Sequence, residues 1–401
     1  MRNKYRRTHR PKRKRTSLKA SNAGPILALT ATVVGVLGLI ALIIFVGLPW
    51  FLPLVGVNDP LPWQPTPTPA PTIHPTPTPH PASVADPLEL QKEVVLDAGD
   101  RYVWFAEPYA SGDTLVFAAG RTDNGDVVMD ALYALDMATG EQEKLSLPLE
   151  NDAYVYPVVN DRWLVYLDGK SAGGGVIRAT ERETGKNRTI KTVYVGQPKL
   201  MLEGDYLVWM ERTGSSTDKL FVCDLNTQES VTVQTFTNSQ YGMSMPSIAG
   251  DEIIYAGDDP NATQANGANS SAIYSVSLTS GKTSVYTPNL YVHDPMTNGR
   301  QWVWRDGLHG EGDDLYLAQN GMQPKCIAED IVEYGLSDTF VAYSKNEAIF
   351  VYFFDNGTTT QITPATGELA LLMGVSDDTV IWMDVTSREQ NRDIMKYARI
   401  R

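Results

Sequence analysis

Five tyrosines recur after residue 88, each just upstream of a short apolar segment. A tyrosine ring can stack on a sugar or a peptide while its hydroxyl group donates a hydrogen bond. If the fold gathers these rings around one opening, they form a ligand-binding surface. If they belong to inner strands, they serve as packing residues instead, and both interpretations stay open here. The five residues are Tyr154, Tyr194, Tyr241, Tyr291 and Tyr334.

Four acidic residues stand two positions after an aromatic residue that ends an apolar segment. Carboxylate oxygens are the ligands that Ca²⁺ prefers, so convergence of these acids would create a Ca²⁺ site. The alternative is that the charges solubilise strand ends. No other cofactor is expected. The four residues are Asp168, Glu211, Asp306 and Asp384.

The sequence supplies little for acid–base catalysis. His293 and His309 are the two histidines after residue 88, and His293 is followed directly by Asp294. A histidine beside a carboxylate can transfer protons if both face a ligand, whereas a solvent-facing pair has no such role. The sequence contains no phosphate-binding glycine loop. We therefore assign no catalytic residues and regard His293 and Asp294 as ligand-binding candidates.

These residues are carried by a repeated pattern of short strands. Seven times an apolar run ends in an aromatic residue, and the spacings between these aromatics are 49, 43, 46, 49, 39 and 39 residues. Strand repeats of this length are typical of a β-propeller. Both faces of each run are apolar, and such a strand must be covered on both sides, as between neighbouring blades. The seven aromatics are Phe117, Tyr166, Trp209, Tyr255, Trp304, Tyr343 and Trp382.

The pattern predicts an all-β, seven-bladed propeller with four-stranded blades over residues 88–401. The last repeat ends one strand short, while the segment Lys92–Leu96 precedes the first complete repeat without a partner. We expect this N-terminal strand to complete the seventh blade, which would remove two free sheet edges.

One repeat shows a family resemblance most clearly. The segment from Gly204 to Trp209, followed by Leu220–Thr227, gives the pattern Gly-Asp-aromatic-Leu-Val-Trp, a polar loop, and Leu-Phe-Val-Cys-Asp-Leu before a turn. This pattern resembles the repeats of TolB-like and WD40-like propellers across about residues 90–401. The resemblance implies a propeller fold. Such propellers include binding proteins, accessory domains of enzymes and a few enzymes.

The N-terminal part of the sequence predicts a membrane anchor. Ten Lys or Arg residues occur in positions 1–24, and Ile26–Leu48 contains no charged residue. A run of 23 uncharged and mostly apolar residues is long enough to span a bilayer, and basic flanks stay in the cytoplasm. We predict a cytoplasmic tail (1–24), a transmembrane helix (25–52), a Pro/Thr-rich linker (53–87) and an extracytoplasmic propeller. An uncleaved anchor is favoured over a signal peptide, whose apolar core is shorter.

The charge of the remaining chain limits the partners. After the basic tail, 24 Lys and Arg stand against 47 Asp and Glu, a net charge of −23. So acidic an exterior argues against nucleic acid or another anionic polymer as the main ligand. The sequence therefore predicts a bacterial single-pass membrane protein whose propeller binds or scaffolds an envelope protein or glycan. The alternative is an enzyme, a lyase or hydrolase of envelope polysaccharide, with its site in the axial channel.

Overall fold

The computed structural model describes residues 83–84, 91–94, 102–237, 239, 244–263, 269–287, 291–307, 313–319, 323–364, 369–385 and 392–400, all within the unit Pro77–Arg401. The predicted tail (1–24), transmembrane helix (25–52) and linker (53–87, except Ser83 and Val84) lie outside these residues. Among the described residues, none forms a helix with the length and hydrophobicity of a membrane span.

The described part of the chain is built from short β-strands. The first fourteen are β1 (Ser83–Val84), β2 (Gln91–Glu93), β3 (Trp104–Ser111), β4 (Thr114–Asp123), β5 (Asp126–Asp136), β6 (Gln142–Lys144), β7 (Ala153–Val159), β8 (Trp163–Gly169), β9 (Gly175–Glu181), β10 (Lys186–Val193), β11 (Leu200–Glu203), β12 (Tyr206–Arg212), β13 (Thr217–Asp224) and β14 (Glu229–Thr237). The others are β15 (Ser247–Ala249), β16 (Glu252–Thr263), β17 (Asn269–Ser277), β18 (Thr283–Tyr286), β19 (Val292–Thr297), β20 (Gln301–Asp306), β21 (Asp313–Gln319), β22 (Lys325–Ile331), β23 (Glu333–Leu336), β24 (Phe340–Lys345), β25 (Ala348–Phe353), β26 (Thr359–Gln361), β27 (Ala370–Ser376), β28 (Thr379–Asp384) and β29 (Ile394–Arg399).

These strands form seven antiparallel sheets, which we number as blades 1 to 7 in chain order. Blades 1 to 6 each consist of four consecutive strands, from β3–β6 in blade 1 to β23–β26 in blade 6. Blade 7 contains β27, β28, β29 and β2, and β1 adds a parallel fifth strand beside β26 of blade 6. The predicted seven-bladed, four-stranded propeller is confirmed.

The N-terminal strand closes the ring at blade 7. Gln91, Lys92 and Glu93 pair antiparallel with Ala398, Tyr397 and Lys396, and the amide of Val94 donates to the carbonyl of Met395 at 2.8 Å. Val94 is buried in the core shared by blades 1 and 7. The first and last parts of the propeller are therefore joined by backbone hydrogen bonds, as the unpartnered segment in the sequence predicted.

The core lies between the blades. The seven repeated aromatics all sit in the second strand of a blade and are all buried. Several of them pack against a second aromatic ring, stacked or edge-on, as Trp209 stacks on Phe221 with 5.3 Å between the ring centroids. Such pairs add about 0.5–1.5 kcal/mol each beyond the burial of their apolar surface. Burial of both faces of these strands thus explains why the apolar runs recur once per blade.

The innermost strands surround the axis of the propeller. They are β3, β7, β11, β15, β19, β23 and β27, and each contacts the innermost strands of both neighbouring blades. Hydrogen bonds also connect the turns that follow these strands, as from the Asn160 side chain to the Gly204 carbonyl at 2.7 Å. The carboxyl ends of the innermost strands therefore meet at one end of the axis, and the amino ends meet at the other.

Candidate functional site

The axis contains a cavity of about 1190 Å³, lined by residues of all seven innermost strands or of the segments that lead into them. One residue from each blade forms what we call the amino-end ring, four or five positions before the first turn of its blade. This ring combines three acids, one lysine, one tyrosine and two methionines. Its members are Glu107, Tyr156, Lys199, Met245, Asp294, Glu333 and Met373.

Three members of the ring sit on proline bulges. Glu107, Tyr156 and Asp294 each precede a proline and have φ angles of 53°, 46° and 45°. The strand register shifts at the same places in β3, β7 and β19. Residues other than glycine rarely adopt this left-handed backbone conformation, and such backbone strain concentrates at functional sites. A bulge also redirects the side chain that it carries, so the three bulges shape the wall of the cavity.

The acids on these bulges connect neighbouring blades. Glu107 of blade 1 accepts a hydrogen bond from the backbone N–H of Tyr156 in blade 2. Asp294 of blade 5 accepts one from the N–H of Met245, which leads into blade 4, at 2.9 Å. The N–H of Asp294 in turn donates to the Ser244 hydroxyl at 2.7 Å. Each acid thus fixes the backbone position that precedes a proline in the next blade.

Asp294 is the centre of a charged network within blade 5. It forms an ion pair with Arg305, and the Nδ1 atom of His293 lies 3.3 Å from its carboxylate. The Nε2 atom of His293 lies 3.3 Å from Asp313, whose carboxylate is 3.6 Å from Arg305. Burial opposes ionisation of Asp294, but His293 and Arg305 outweigh it and hold its pKa well below the usual range. Asp294 is therefore an anion that is already paired within the protein.

His293 has a pKa above its ordinary value. Burial lowers the pKa, but the hydrogen bond and the charge of Asp294, with a contribution from Asp313, outweigh that effect and the repulsion by Arg305. An imidazole held between two carboxylates favours its protonated form. It can therefore hold a proton beside the cavity, which Asp294 and Arg305 line.

Glu107 has a different character from Asp294. Burial raises its pKa to about 7, against the lowering effects of the Tyr156 N–H and the Lys199 charge. The carboxyl group therefore titrates close to neutral pH. Tyr109, two positions further along β3, also lines the cavity, and burial together with the charges of Asp377 and Glu203 raises its pKa to about 12. This side of the cavity can donate hydrogen bonds as well as accept them.

The opposite end of the cavity is predominantly acidic. We call the acids at its edge the carboxyl-end acids, and they are Glu203, Asp251, Glu252, Asp338 and Asp377. Two of them connect blades: Glu203 accepts from the N–H of Gly250 at 3.2 Å, and Asp377 from the N–H of Gly112 at 2.6 Å. Arg300 is the cationic lining residue at this end.

The structure separates the predicted tyrosines. Tyr334 lines the cavity but is buried, and its hydroxyl donates to the carbonyls of Asp294 and of Val303, the latter at 3.1 Å. Tyr154 is buried between blades 1 and 2, with its hydroxyl on the carbonyl of Leu147 at 2.7 Å. Tyr194 is 81% exposed after the outer strand of blade 2. Tyr291 is half-buried before β19. Tyr241 lies outside the described residues.

The predicted acids have separate partners in four blades. Asp168 is buried against Arg178 at 2.9 Å, and Glu211 accepts from the Trp209 indole at 3.2 Å. Asp384 pairs with Lys396 at 2.9 Å. Asp306 accepts from the N–H of Tyr291 at 3.3 Å, and burial raises its pKa to about 6. Within the described residues, no three His, Cys, Asp or Glu side chains are grouped as metal ligands.

The predicted pair His293–Asp294 is in contact, and the hydroxyl of the predicted Tyr334 donates a hydrogen bond to the backbone carbonyl of Asp294.

The sequence analysis missed Glu107, Tyr156 and Lys199. A signal near them exists, because five prolines recur within or just before innermost strands, 49, 41, 48 and 49 residues apart, a spacing close to that of the blades. They are Pro108, Pro157, Pro198, Pro246 and Pro295.

Comparisons by sequence give no match to a family model and none to a curated protein. Comparisons by structure give many matches. The β-propeller domain of the Trilobed protease from Pyrococcus furiosus aligns with a TM-score of 0.57 at 10% identity, over 74% of this chain and 93% of that one. An oligogalacturonate lyase, solved with manganese, aligns with a TM-score of 0.50 at 12% identity, over 75% of this chain and 90% of that one.

The acylaminoacyl peptidase of Pyrococcus horikoshii aligns with a TM-score of 0.52 at 11% identity. The match covers 71% of this chain and 49% of that one, so this chain spans about half of the peptidase. TolB from Acinetobacter baumannii is also among the matches, with a TM-score of 0.39. At these identities the similarity shows the propeller fold alone, and the function has to be argued from the cavity.

Proposed function

We propose that the chain is a membrane-tethered, extracytoplasmic propeller that acts as a binding or scaffolding module for an envelope protein or glycan. The observation that carries the proposal is the axial cavity, which gathers charged, aromatic and apolar side chains from seven blades. Ligand sites are concave, mostly apolar and supplied with a few polar groups. The basic tail, the apolar run and the Pro/Thr-rich segment of the sequence support the tether.

The cavity suits binding because several of its charged groups are already held in place by other protein groups. Asp294, Arg305 and Glu107 are fixed by contacts between blades or within the network, so little rearrangement is needed when a ligand enters. Pre-organised sites of this kind avoid part of the entropic cost of association.

A plugged cavity tests this function. Leu371 lines the cavity and is 39% exposed, so Leu371→Trp should reduce the open volume without disturbing the core. Val231 is 58% exposed on the outer strand β14, and Val231→Trp is the matched control. Residues 77–401 of each variant are compared in pull-downs from envelope extracts and on a glycan array. Ligands that are lost with Leu371→Trp alone support the proposal, and an unchanged set of ligands with both variants contradicts it.

The tether is tested separately by protease treatment of spheroplasts. A propeller outside the cytoplasmic membrane is accessible to the protease, and the basic tail is protected. A C-terminal part that survives intact in sealed spheroplasts, and is cleaved only after lysis, would contradict the proposed topology.

One observation favours a second candidate, an enzyme that acts on envelope polysaccharide. His293, held between Asp294 and Asp313, favours its protonated form next to Asp294, which lines the cavity, and the cleavage of a glycosidic bond needs a proton on the leaving oxygen. Assays of residues 77–401 on envelope polysaccharides distinguish the two functions. Turnover that His293→Gln abolishes, while polymer binding remains, would favour the enzyme. Saturable binding without turnover supports the binding module.

A further inference from the structure

The cavity carries an excess of negative charge. Eight carboxyl groups line it against three cationic side chains, a difference of five charges when all are ionised. A cleft lined by one sign of charge concentrates ligands of the opposite sign. The carboxyl groups belong to Glu107, Glu203, Asp251, Glu252, Asp294, Glu333, Asp338 and Asp377, and the cations are Lys199, Arg300 and Arg305.

The cations are poorly placed to bind an anionic ligand. Arg305 forms an ion pair with Asp294, lies 3.6 Å from Asp313, and donates to the carbonyl of Val332 at 3.0 Å. Lys199 stands near Glu107 and lowers its pKa against the effect of burial. An anionic group would therefore have to compete with carboxylates that already surround these side chains.

The excess acids are spread around one end of the cavity. The carboxyl-end acids come from blades 3, 4, 6 and 7, and Arg300 of blade 5 is the cation among them. Hydrogen bonds between blades hold two of these carboxylates, that of Glu203 on the N–H of Gly250 and that of Asp377 on the N–H of Gly112. A ligand with more than one positive charge can therefore meet carboxylates on several sides of the opening.

The wall of the cavity is independently suited to apolar side chains of varied shape. Four methionines line it, one from each of four blades, out of twelve in the whole chain. Methionine is unbranched and polarisable, and it adapts to different apolar partners at binding surfaces that accept many peptides. The four residues are Met201, Met245, Met296 and Met373.

We propose, as a refinement that rests on the proposed binding function, that the axial cavity takes a basic peptide segment. Its Lys or Arg side chains would meet the carboxyl-end acids, and its apolar side chains would contact the methionines. The charge complementarity comes from the acids and the adaptability of the wall from the methionines, so two separate properties of the cavity indicate the same ligand. The ligand is thus a protein with an exposed basic and apolar stretch rather than a glycan.

Selection from a random dodecapeptide library tests this assignment with the full-length chain. Peptides are selected on the wild-type protein alone, and their affinity for Leu371→Trp is measured afterwards. The expected pool is rich in Lys and Arg together with Leu, Ile, Val or Met. The best peptide should bind Leu371→Trp roughly tenfold more weakly, since the plug removes contact area inside the cavity. Unchanged thermal unfolding of Leu371→Trp shows that the variant is folded.

Two charge variants from the same blade test the role of the acids without changing the shape of the cavity. Glu203→Gln removes one carboxyl-end charge and keeps an oxygen for the N–H of Gly250, whereas Glu229→Gln removes an exposed charge on the outer strand β14. The selected basic peptide should lose several-fold in affinity with Glu203→Gln, more at low salt than at high salt. Its affinity for Glu229→Gln should stay at the wild-type value. Equal losses with both variants would overturn the assignment, because the attraction would then come from the acidic surface at large.

A glycan array probed with the wild type and with Leu371→Trp separates the peptide assignment from the binding function. If glycans bind only the open cavity and no peptide depends on it, the assignment of a basic peptide ligand is overturned, whereas the proposed binding function stands. A pool of acidic peptides dependent on the cavity would do the same. If neither peptides nor glycans depend on the cavity, the proposed function fails together with its refinement.

Discussion

The carboxyl group of Glu107 accepts a hydrogen bond from the backbone N–H of Tyr156, and both residues precede a proline on an innermost strand. The bond crosses from blade 1 to blade 2. Asp294 and Met245 form the same kind of bond between blades 5 and 4 at 2.9 Å. In both cases an acid of the amino-end ring satisfies the amide that precedes the proline of a neighbouring blade. The ring is thus a structural connection between blades as well as the wall of a cavity.

Glu107→Gln should make stability less dependent on pH. Burial raises the pKa of Glu107 to about 7 in the folded protein, from 4.5 in the unfolded chain. The folded state therefore holds the proton more tightly, and stability is lost as pH rises between these two values. Over that range the wild type should lose up to about 3 kcal/mol in free energy of unfolding relative to Glu107→Gln. Urea unfolding at a series of pH values from 4 to 8 measures this, with ~1 kcal/mol as a resolvable change.

The comparison with the variant isolates Glu107 from other groups that titrate in the same direction. The raised pKa values of His293 and of Asp306, the latter about 6, also reduce stability as pH rises. These contributions are the same in both proteins and cancel in the difference. The exposed Glu229→Gln should leave the wild-type profile unchanged. Parallel profiles for the wild type and Glu107→Gln would contradict the assignment of a buried, protonated Glu107.

Deletion of residues 88–98 should destabilise the propeller strongly. The deletion removes β2, which pairs with β29, and it also removes the buried side chain of Val94. Blade 7 would then expose an edge strand, and the ring would lose its closure. A deletion of equal length in the Pro/Thr-rich segment, residues 66–76, is the control. Thermal unfolding should show a clear decrease in Tm for the first deletion alone, and equal Tm values would refute closure by β2.

The fold was predictable because its main signal is periodic and local. Each blade needs one strand that is buried on both faces, so residues such as Trp209 and Trp382 recur at nearly fixed spacing. The seam of the ring was also visible, since Val94 and its neighbours formed an apolar strand without a partner. The parallel pairing of Ser83 and Val84 with β26 was not predictable, because two residues carry no pattern.

The cavity was only partly predictable because its key residues break the strand pattern. Alternation along β7 would place Tyr154 and Tyr156 on the same face, yet Tyr154 is buried between blades and Tyr156 lines the cavity. The bulge at Tyr156 causes the difference, since it inserts an extra residue and turns the chain to a positive φ. The hydrogen bonds of Glu107 and Asp294 to other blades depend on this geometry, which spacing alone does not encode.

Trp209→Ala should be far more destabilising than Tyr206→Ala, although both residues lie on β12. Trp209 is buried and stacked on Phe221, whereas Tyr206 is 38% exposed. Loss of a buried tryptophan removes apolar burial and leaves a cavity, at a cost of about 3–5 kcal/mol. The exposed tyrosine should cost less than about 1 kcal/mol. Urea unfolding compares the two variants, and similar losses would contradict the placement of β12 between two covered faces.

Asp168→Asn should destabilise the protein to the same extent with Ca²⁺ and with a chelator. The Asp168 carboxylate is fully buried, accepts from the backbone N–H groups of Glu150 and Asn151, and pairs with Arg178 at 2.9 Å. Removal of one partner of a buried ion pair costs about 3–5 kcal/mol when the other charge is left without a partner. Arg178 keeps a second, exposed partner in Glu150 at 2.9 Å, so the loss should fall at or below the lower end of that range. Asp161 is exposed in the same blade, and Asp161→Asn should be nearly neutral.

The dependence on Ca²⁺ decides between the two roles considered for Asp168. A residue that only balances Arg178 gives a wild-type Tm that is independent of millimolar Ca²⁺, and the loss in Asp168→Asn is then equal under both conditions. A cation that binds the folded state would instead raise the Tm of the wild type with its concentration. If such an increase occurred and disappeared in Asp168→Asn, it would support the Ca²⁺ site considered in the sequence analysis and refute a purely structural role of the Asp168–Arg178 pair.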